Sequence, residues 1–325
     1  MNNSSGKRGE MSRRKFVAGL TMAGAALPFI GTNIPAGENQ VVRNGRIHVF
    51  TKPMQWLSHD EVGELLASAG AQGADIPVRP GGHVLPENVK TDLPRAVQAA
   101  KKNGIAVDMI VTSITRADEQ YTEDILRTAS ELGIRYYRLG YINFDDKLGI
   151  WGTLQDYKPE LAKLEKLNRK YNLHGAYQNH FGTRVGGPVW DLFELLRDLD
   201  PRYIGCQYDV RHATAEGGSS WINGLKLIAP WVKCTALKDF YWSKNNSGKW
   251  NPESVPIGNG MVNFEEYFTF IKKAKIDGPA SIHLEYPPFE RFTAKVTPAE
   301  KKKIFIEAMK KDVDSVQAMY TKYQL

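Results

Sequence analysis

From residue 46 to the C-terminus the chain repeats one pattern eight times: a short apolar run rich in β-branched or aromatic residues, a polar loop, then an amphipathic stretch. "RIHVFTK" leads to "SHDEVGELLASAG", "GADIPVR" to "DLPRAVQAAKKNG", "IAVDMIVTSI" to "TEDILRTASELG" and "IRYYRLG" to "LQDYKPELAKLEKLNRKYN". "HGAYQNH", "YIGCQYD", "VKCTALKDF" and "PASIHLEY" open the other four units. Strands that alternate with helices pair in parallel through crossovers. Eight such units in about 280 residues is the arithmetic of a closed (β/α)8 TIM barrel. A doubly wound sheet would carry a glycine-rich phosphate loop after its first strand. "TKPMQWLSHDE" has no glycine, which argues against that fold and against a nucleotide cofactor. Gly70, Gly104 and Gly133 close helices, and Ser58, Thr122 and Thr297 open them with acidic residues close behind. The expected fold is a single α/β barrel over residues 46–325.

In such a barrel the functional residues lie at the C-terminal ends of the strands and in the loops that follow. Arg138, Gln178, His180, Asp209, Lys238, His283 and Glu285 stand at those ends. His83 and His212 lie in the loops after strands two and six, and Trp242 and Trp250 in the long segment after strand seven. By the period of two, Ala236 and Lys238 share a face, as do Ser281, His283 and Glu285. The same alternation turns Cys206 and Cys234, on neighbouring strands, to opposite faces, so they are expected to be unpaired. Asp209 reads either as a solvated strand end or as an anchor for a metal or a substrate. Glu285 reads as a proton-transfer group or as a structural partner of Arg138 or Lys238. Lys238, if burial lowers its pKa, is a base; charged, it is a donor to a developing oxyanion. Trp242 offers a flat face suited to a sugar ring, or packs the loop.

Four of these segments, taken in order, resemble the xylose isomerase-like barrels, a family of sugar isomerases, epimerases and dehydratases. "YQNH", "YDVRHA", "TALKDF" and "SIHLEY" are similar to its motifs on strands five to eight. The resemblance implies a sugar substrate and one divalent ion (Mn, Mg, Co or Zn) held by Glu, Asp, His and Glu. Carried over singly, the matching positions are Gln178, Asp209, Ala236 and Glu285. Alanine at 236 removes the nitrogen ligand, and Gln178 keeps an oxygen but no charge. The expected metal ligands are therefore Gln178, Asp209 and Glu285. Glu285 and Lys238 are the expected catalytic pair, and Arg138, His83, His180, His212 and Trp242 the expected substrate contacts. Three functions stay open: a sugar isomerase or epimerase abstracting a proton next to a carbonyl, a keto-sugar lyase or hydratase using the same enolate, and a sugar-binding barrel without activity.

The formal charge of +7 overstates how basic the barrel is. Residues 1–36 hold five basic residues and one acidic one, and without them 38 basic face 35 acidic residues. That near-balance gives no support for a nucleic-acid partner. "MSRRKFVAGLTMAGAALPFIGTNIPA" has a cationic start, an apolar run and small residues near Ala36, the layout of an export signal. The apolar run, about 15 residues, falls short of the roughly 20 that span a bilayer. The order in "SRRKF" resembles the twin-arginine type, which implies the twin-arginine export machinery as a partner and a periplasmic or otherwise extracytoplasmic location. Replacing Arg13 and Arg14 by Lys is expected to hold the precursor inside the cell. Fractionation of the double variant checks this, and unchanged export would remove the assignment.

Overall fold

The computed structural model describes residues 46–290 and 292–325; the expected export segment, 1–36, lies outside the described residues. Eight parallel strands close into a barrel: β1 (Ile47–Phe50), β2 (Gly73–Val78), β3 (Ala106–Thr112), β4 (Tyr136–Arg138), β5 (His174–Gln178), β6 (Ile204–Asp209), β7 (Val232–Leu237) and β10 (Ala280–Ile282). Each pairs with its sequence neighbours, and β10 closes the ring between β7 and β1. The strands are short and buried on both faces, as a parallel sheet wrapped by helices requires.

The outer face is apolar. Helices α1 (His59–Ser68), α2 (Val89–Lys102), α3 (Thr122–Glu131), α4 (Gly149–Tyr171), α5 (Val189–Leu196), α7 (Trp221–Ile228), α8 (Phe264–Ala274) and α9 (Pro298–Tyr323) wrap it. Each sends a large side chain inward: Leu66, Leu93, Leu126, Leu161, Leu192, Leu225, Phe268 and Phe305 are all fully buried. A side chain of that size contributes about 1.5–3 kcal/mol on burial. Capping boxes start α1 at Ser58 and α9 at Thr297. Thr122 differs from expectation. Tyr121 takes the cap position and Thr122 is the first helical residue, its hydroxyl donating to the Arg116 carbonyl.

The barrel interior mixes polar side chains with a small apolar cluster. His48, Asp75, Gln207, Ser281 and His283 are buried there, and the Ser281 hydroxyl donates to Asp75 Oδ2 at 2.8 Å. Cys234 packs against Met109 and Ala176 inside the barrel, whereas Cys206 belongs to the apolar wall, so both thiols are unpaired.

Two segments expected as loops are ordered elements. "VRHATAEG" is helix α6 (Val210–Gly217), which begins directly at the end of β6. The long segment after β7 folds back as an antiparallel hairpin, β8 (Asp239–Lys244) with β9 (Trp250–Val255). Asp239 organises the return: its carboxylate accepts the backbone N–H groups of Phe240, Gly258, Gly260 and Val262 at 2.9–3.1 Å. A Cβ on Gly260 would lie 2.2 Å from Asp239 Oδ1, so only glycine fits beside that carboxylate. Among the described residues no helix is long and apolar enough to cross a membrane.

Asp312 fastens α9 to the segments that follow the C-terminal ends of β7 and β10. It accepts from the Ile257 N–H at 3.0 Å and from the Tyr286 hydroxyl at 2.8 Å. Burial pushes its carboxyl up to about 6, partly offset by those two hydrogen bonds. A folded pKa above the unfolded value of about 3.9 means that its contribution is complete below pH 4 and falls as pH rises through 6. The gap is worth about 3 kcal/mol. Asp312→Asn is therefore expected to gain roughly that much relative to the parent between pH 4 and pH 7. Urea unfolding at both pH values checks it; a constant difference would contradict the assignment.

Candidate functional site

The strand ends bring five of the expected residues into one hydrogen-bonded chain. Arg138 Nη1 donates to Gln178 Oε1 at 2.9 Å, and Gln178 Nε2 donates to Asp209 Oδ2 at 2.8 Å. Lys238 Nζ lies 3.0 Å from Asp209 Oδ2 and 3.1 Å from Glu285 Oε2. His283 Nδ1 stands 3.8 Å from the other Glu285 oxygen. Lys238 and Asp209 are fully enclosed, whereas the Glu285 side chain is 25% exposed. Glu285 faces a cleft of about 830 Å³ between the hairpin (Ser243, Asn251, Ser254) and the segment after β10 (Tyr286, Pro287, Glu290).

Local structure fixes Asp209. Asn179 accepts the Asp209 N–H on its side-chain oxygen at 2.7 Å and donates to the Asp209 carbonyl at 3.0 Å. Asp209 also caps α6, its Oδ1 accepting the His212 N–H at 3.0 Å. The three-residue spacing of Asp209 and His212 is thus a helix cap that also points the imidazole into the mouth. His212 Nε2 is 2.7 Å from Lys238 Nζ, and Nδ1 is 3.0 Å from Arg211 Nη1. A neutral imidazole has one acceptor nitrogen. It serves one cation at a time and leaves an N–H of the other for an incoming oxygen. His180 stacks beside it with ring centroids 3.9 Å apart.

Charges settle accordingly. Burial disfavours the Lys238 ammonium, but Asp209 and Glu285 outweigh this and raise its pKa. Of the two roles open to Lys238, the charged donor is the one this environment favours: two carboxylates keep it protonated. Burial alone would raise the Glu285 carboxyl, yet Lys238 and His283 hold it well below the usual carboxylate range. Burial, then the Lys238 charge, depresses His212 and His180, so both rings are neutral near pH 7.

Two expected substrate contacts lie elsewhere. His83 is tied to the first loop, Nδ1 to the Thr51 hydroxyl at 3.2 Å and Nε2 to the Met54 carbonyl at 3.2 Å. Burial lowers its pKa to about 4. Trp242 stands on the hairpin edge-on to Phe240 and does not line the Glu285 cleft. Arg138 is in the cluster but nearly buried, and it orients Gln178. Sequence reasoning missed Tyr141, whose hydroxyl donates to Gln178 Oε1 at 2.5 Å, and Arg211, which donates to the Pro252 carbonyl at 2.9 Å and ties α6 to the hairpin. Asn179 was also missed. It sits in "YQNH" between two inward-facing residues, where alternation assigns it to the wall.

Comparison with known proteins gives a consistent picture. The xylose isomerase-like TIM barrel model matches residues 64–311. Inosose dehydratase 1 of Bacillus cereus is 27% identical over 149 residues, 42% of this chain and 48% of that protein. The chain thus spans about half the length of this curated relative. D-psicose 3-epimerase from Clostridium cellulolyticum H10, solved with D-tagatose, matches 84% of this chain and 99% of its own, at 10% identity and a TM-score of 0.63. The IOLI protein, solved with a bound zinc atom, matches 86% and 99%, at 15% identity and a TM-score of 0.65. At these identities the two structures share the fold.

The residues here do not fit a divalent ion. Ala236, in register with Asp209 and Ser281, offers only a methyl group. The Gln178 oxygen is turned to Arg138 and Tyr141; the donors on one side and the Asp209 carboxylate on the other fix that amide orientation. The expected convergence of three ligand oxygens therefore reduces to Asp209 and Glu285, and the Lys238 ammonium stands between them. A dication about 4 Å from that charge would meet repulsion on the order of 8 kcal/mol at an effective dielectric of 20. Among the described residues no group of three His, Cys, Asp or Glu side chains is arranged to hold a metal.

Proposed function

Because the chain belongs to the xylose isomerase-like TIM barrel family, we propose that it is an exported enzyme that transforms a keto sugar through an enolate, with Glu285 as its single base. The observation that carries this is the pairing of one cleft-facing carboxylate with an enclosed ammonium. Glu285, ionised near neutral pH, takes the proton from the carbon next to the carbonyl. The C–H electron pair forms the C=C bond, and the carbonyl oxygen becomes an oxyanion. Lys238 donates to that oxyanion from a fixed position, the preorganised stabilisation that lowers such barriers most. His212, against the Lys238 ammonium, and His180, packed on its ring, serve as neutral donors or acceptors for sugar hydroxyls.

One base favours one-face chemistry. Asp209 is locked by Gln178, Lys238 and the His212 N–H, and position 178 carries an amide. A two-base epimerisation, with a carboxylate on each side of the carbon, has no second partner. Loss of water fits better: the enolate expels the neighbouring hydroxyl, and the proton that Glu285 took goes to the departing oxygen. The likeness to an inosose dehydratase supports this outcome. One-base isomerisation, in which Glu285 returns the proton to the adjacent carbon, uses the same first step.

Glu285→Gln keeps the side chain's size but removes the base. In D₂O the wild type is expected to exchange the proton next to the carbonyl of its keto sugar, followed by NMR. The variant is expected to lose about 10²–10⁴-fold in that exchange while sugar binding by calorimetry is retained. Full turnover by the variant would refute the role of Glu285. Binding without any exchange by the wild type would mark the barrel as a sugar-binding protein.

A further inference from the structure

We propose that the substrate taken by this mouth is a keto sugar acid, and that the Arg79 guanidinium receives its carboxylate. The placement of Arg79 stands on geometry alone; that the bound acid then reacts rests on the enolate reading above.

Arg79 is the first residue after β2, so it stands at a strand end on the face where barrel sites are built. The loop that it opens is tightly held. Its N–H donates to the Val84 carbonyl at 3.0 Å, and its carbonyl accepts the Gly82 N–H at 2.8 Å. A Cβ on Gly82 would fall 2.5 Å from the Pro77 carbonyl oxygen, so the turn in "RPGGH" requires glycine there. The Arg79 guanidinium carbon lies 5.7 Å from the centre of the Phe50 ring, and that of Arg138 lies 5.8 Å from the same centre. The His283 ring packs on Phe50 at 4.8 Å, and its Nδ1 is 3.8 Å from Glu285. Arg79 therefore borders the charged chain of the mouth through Phe50. Burial, then the Arg138 charge, lowers its pKa, while Tyr141, Asp75 and Glu285 pull the other way. An arginine stays charged through such shifts.

Charge makes Arg79 a binding group. Arg138 and Lys238 balance Asp209 and Glu285 within their own chain. Asp75, inside the barrel, has its pKa raised by burial and takes its hydrogen bond from Ser281. Arg79 is the cation left over: among the described residues no carboxylate pairs with it and no acceptor takes its N–H donors. A half-buried charge has lost part of its hydration, and an incoming anion replaces it. The planar fork of a guanidinium matches the two oxygens of a carboxylate. A phosphate would draw on backbone N–H groups in the loop after the seventh strand, where barrels build that site. Here Gly258, Gly260 and Val262 already donate theirs to Asp239 at 2.9–3.1 Å. Arg79 forms no ion pair with Glu285, so the two groups reach different parts of one sugar. Its charge also serves the reaction: an enolate adds a second negative charge to an acid, and Arg79 holds the first.

5-Keto-D-gluconate and L-sorbose differ only in carrying a carboxylate or a hydroxymethyl group at the chain end remote from the ketone. Calorimetric titration with each, at low salt, tests the proposal. The wild type is expected to bind the keto acid about 10–100-fold tighter than L-sorbose, the worth of hydrogen bonds to a charged group. In Arg79→Met that ratio is expected to fall to near one. Equal affinities in the wild type, no measurable binding of the keto acid, or a ratio that survives in a folded Arg79→Met would each overturn the proposal. So would tighter binding of D-fructose 6-phosphate than of the keto acid, which would put a phosphate in its place. If Arg79→Met fails to fold by circular dichroism, the wild-type ratio decides alone. A preference that depends on Arg79, with no deuterium exchange into the keto acid in D₂O, would refute the enolate reading and leave this one standing.

Discussion

A buried carboxylate at the mouth of a barrel needs a cation within hydrogen-bond reach, and here Lys238 supplies it to two carboxylates at once. The rest of the mouth follows from that arrangement. Arg138 balances the second negative charge at one remove, with Gln178 relaying between its guanidinium and Asp209. Two cations and two anions thus form one continuous chain across β4, β5, β6, β7 and the segment after β10. Removing one member of such a buried set typically costs about 3–5 kcal/mol, because its partner is left charged and alone. The set therefore fixes the relative positions of the strand ends as well as their chemistry.

Solvent reaches this chain at one point. Asp209 and Lys238 are enclosed, and Glu285 alone opens on the cleft. Exposure and role go together: the enclosed groups hold geometry and potential, and the accessible carboxylate is the one that can meet a carbon-bound proton. Depressed pKa values at His180 and His212 extend the division, since neutral rings beside a fixed positive charge can share hydrogen bonds with sugar hydroxyls without adding to the field. The hairpin β8–β9 forms one wall of the cleft, and Arg211 ties helix α6 to that hairpin.

Much of this was legible in the sequence because barrel periodicity is strong. Eight alternating units announce the fold, and the period of two puts Lys238 on the same face as Ala236 from the spacing of "TALKD" alone. Helix α6 was hidden because its glycine-rich end reads as loop chemistry, while its start is a cap shared with the strand. The hairpin was hidden because "NNSGK" marks a turn but the flanking residues lack clean alternation. Orientation was the harder limit. Which end of the Gln178 amide faces Asp209 depends on Arg138 and Tyr141, 40 and 37 residues away, and no local pattern encodes it. His83 shows the same limit, since its partners Thr51 and Met54 come from a different loop.

The central claim is that a lysine, not an ion, supplies the positive charge that acts on the sugar. A metal acts as a Lewis acid through a coordination bond; an ammonium acts through directed hydrogen bonds and keeps its charge only while its carboxylates stay ionised. The most direct measurement is deuterium incorporation next to the carbonyl of a keto sugar by protein exhaustively treated with EDTA. The account predicts an undiminished rate that added Mn²⁺ does not raise. Exchange that disappears with chelation and returns with the metal would contradict it.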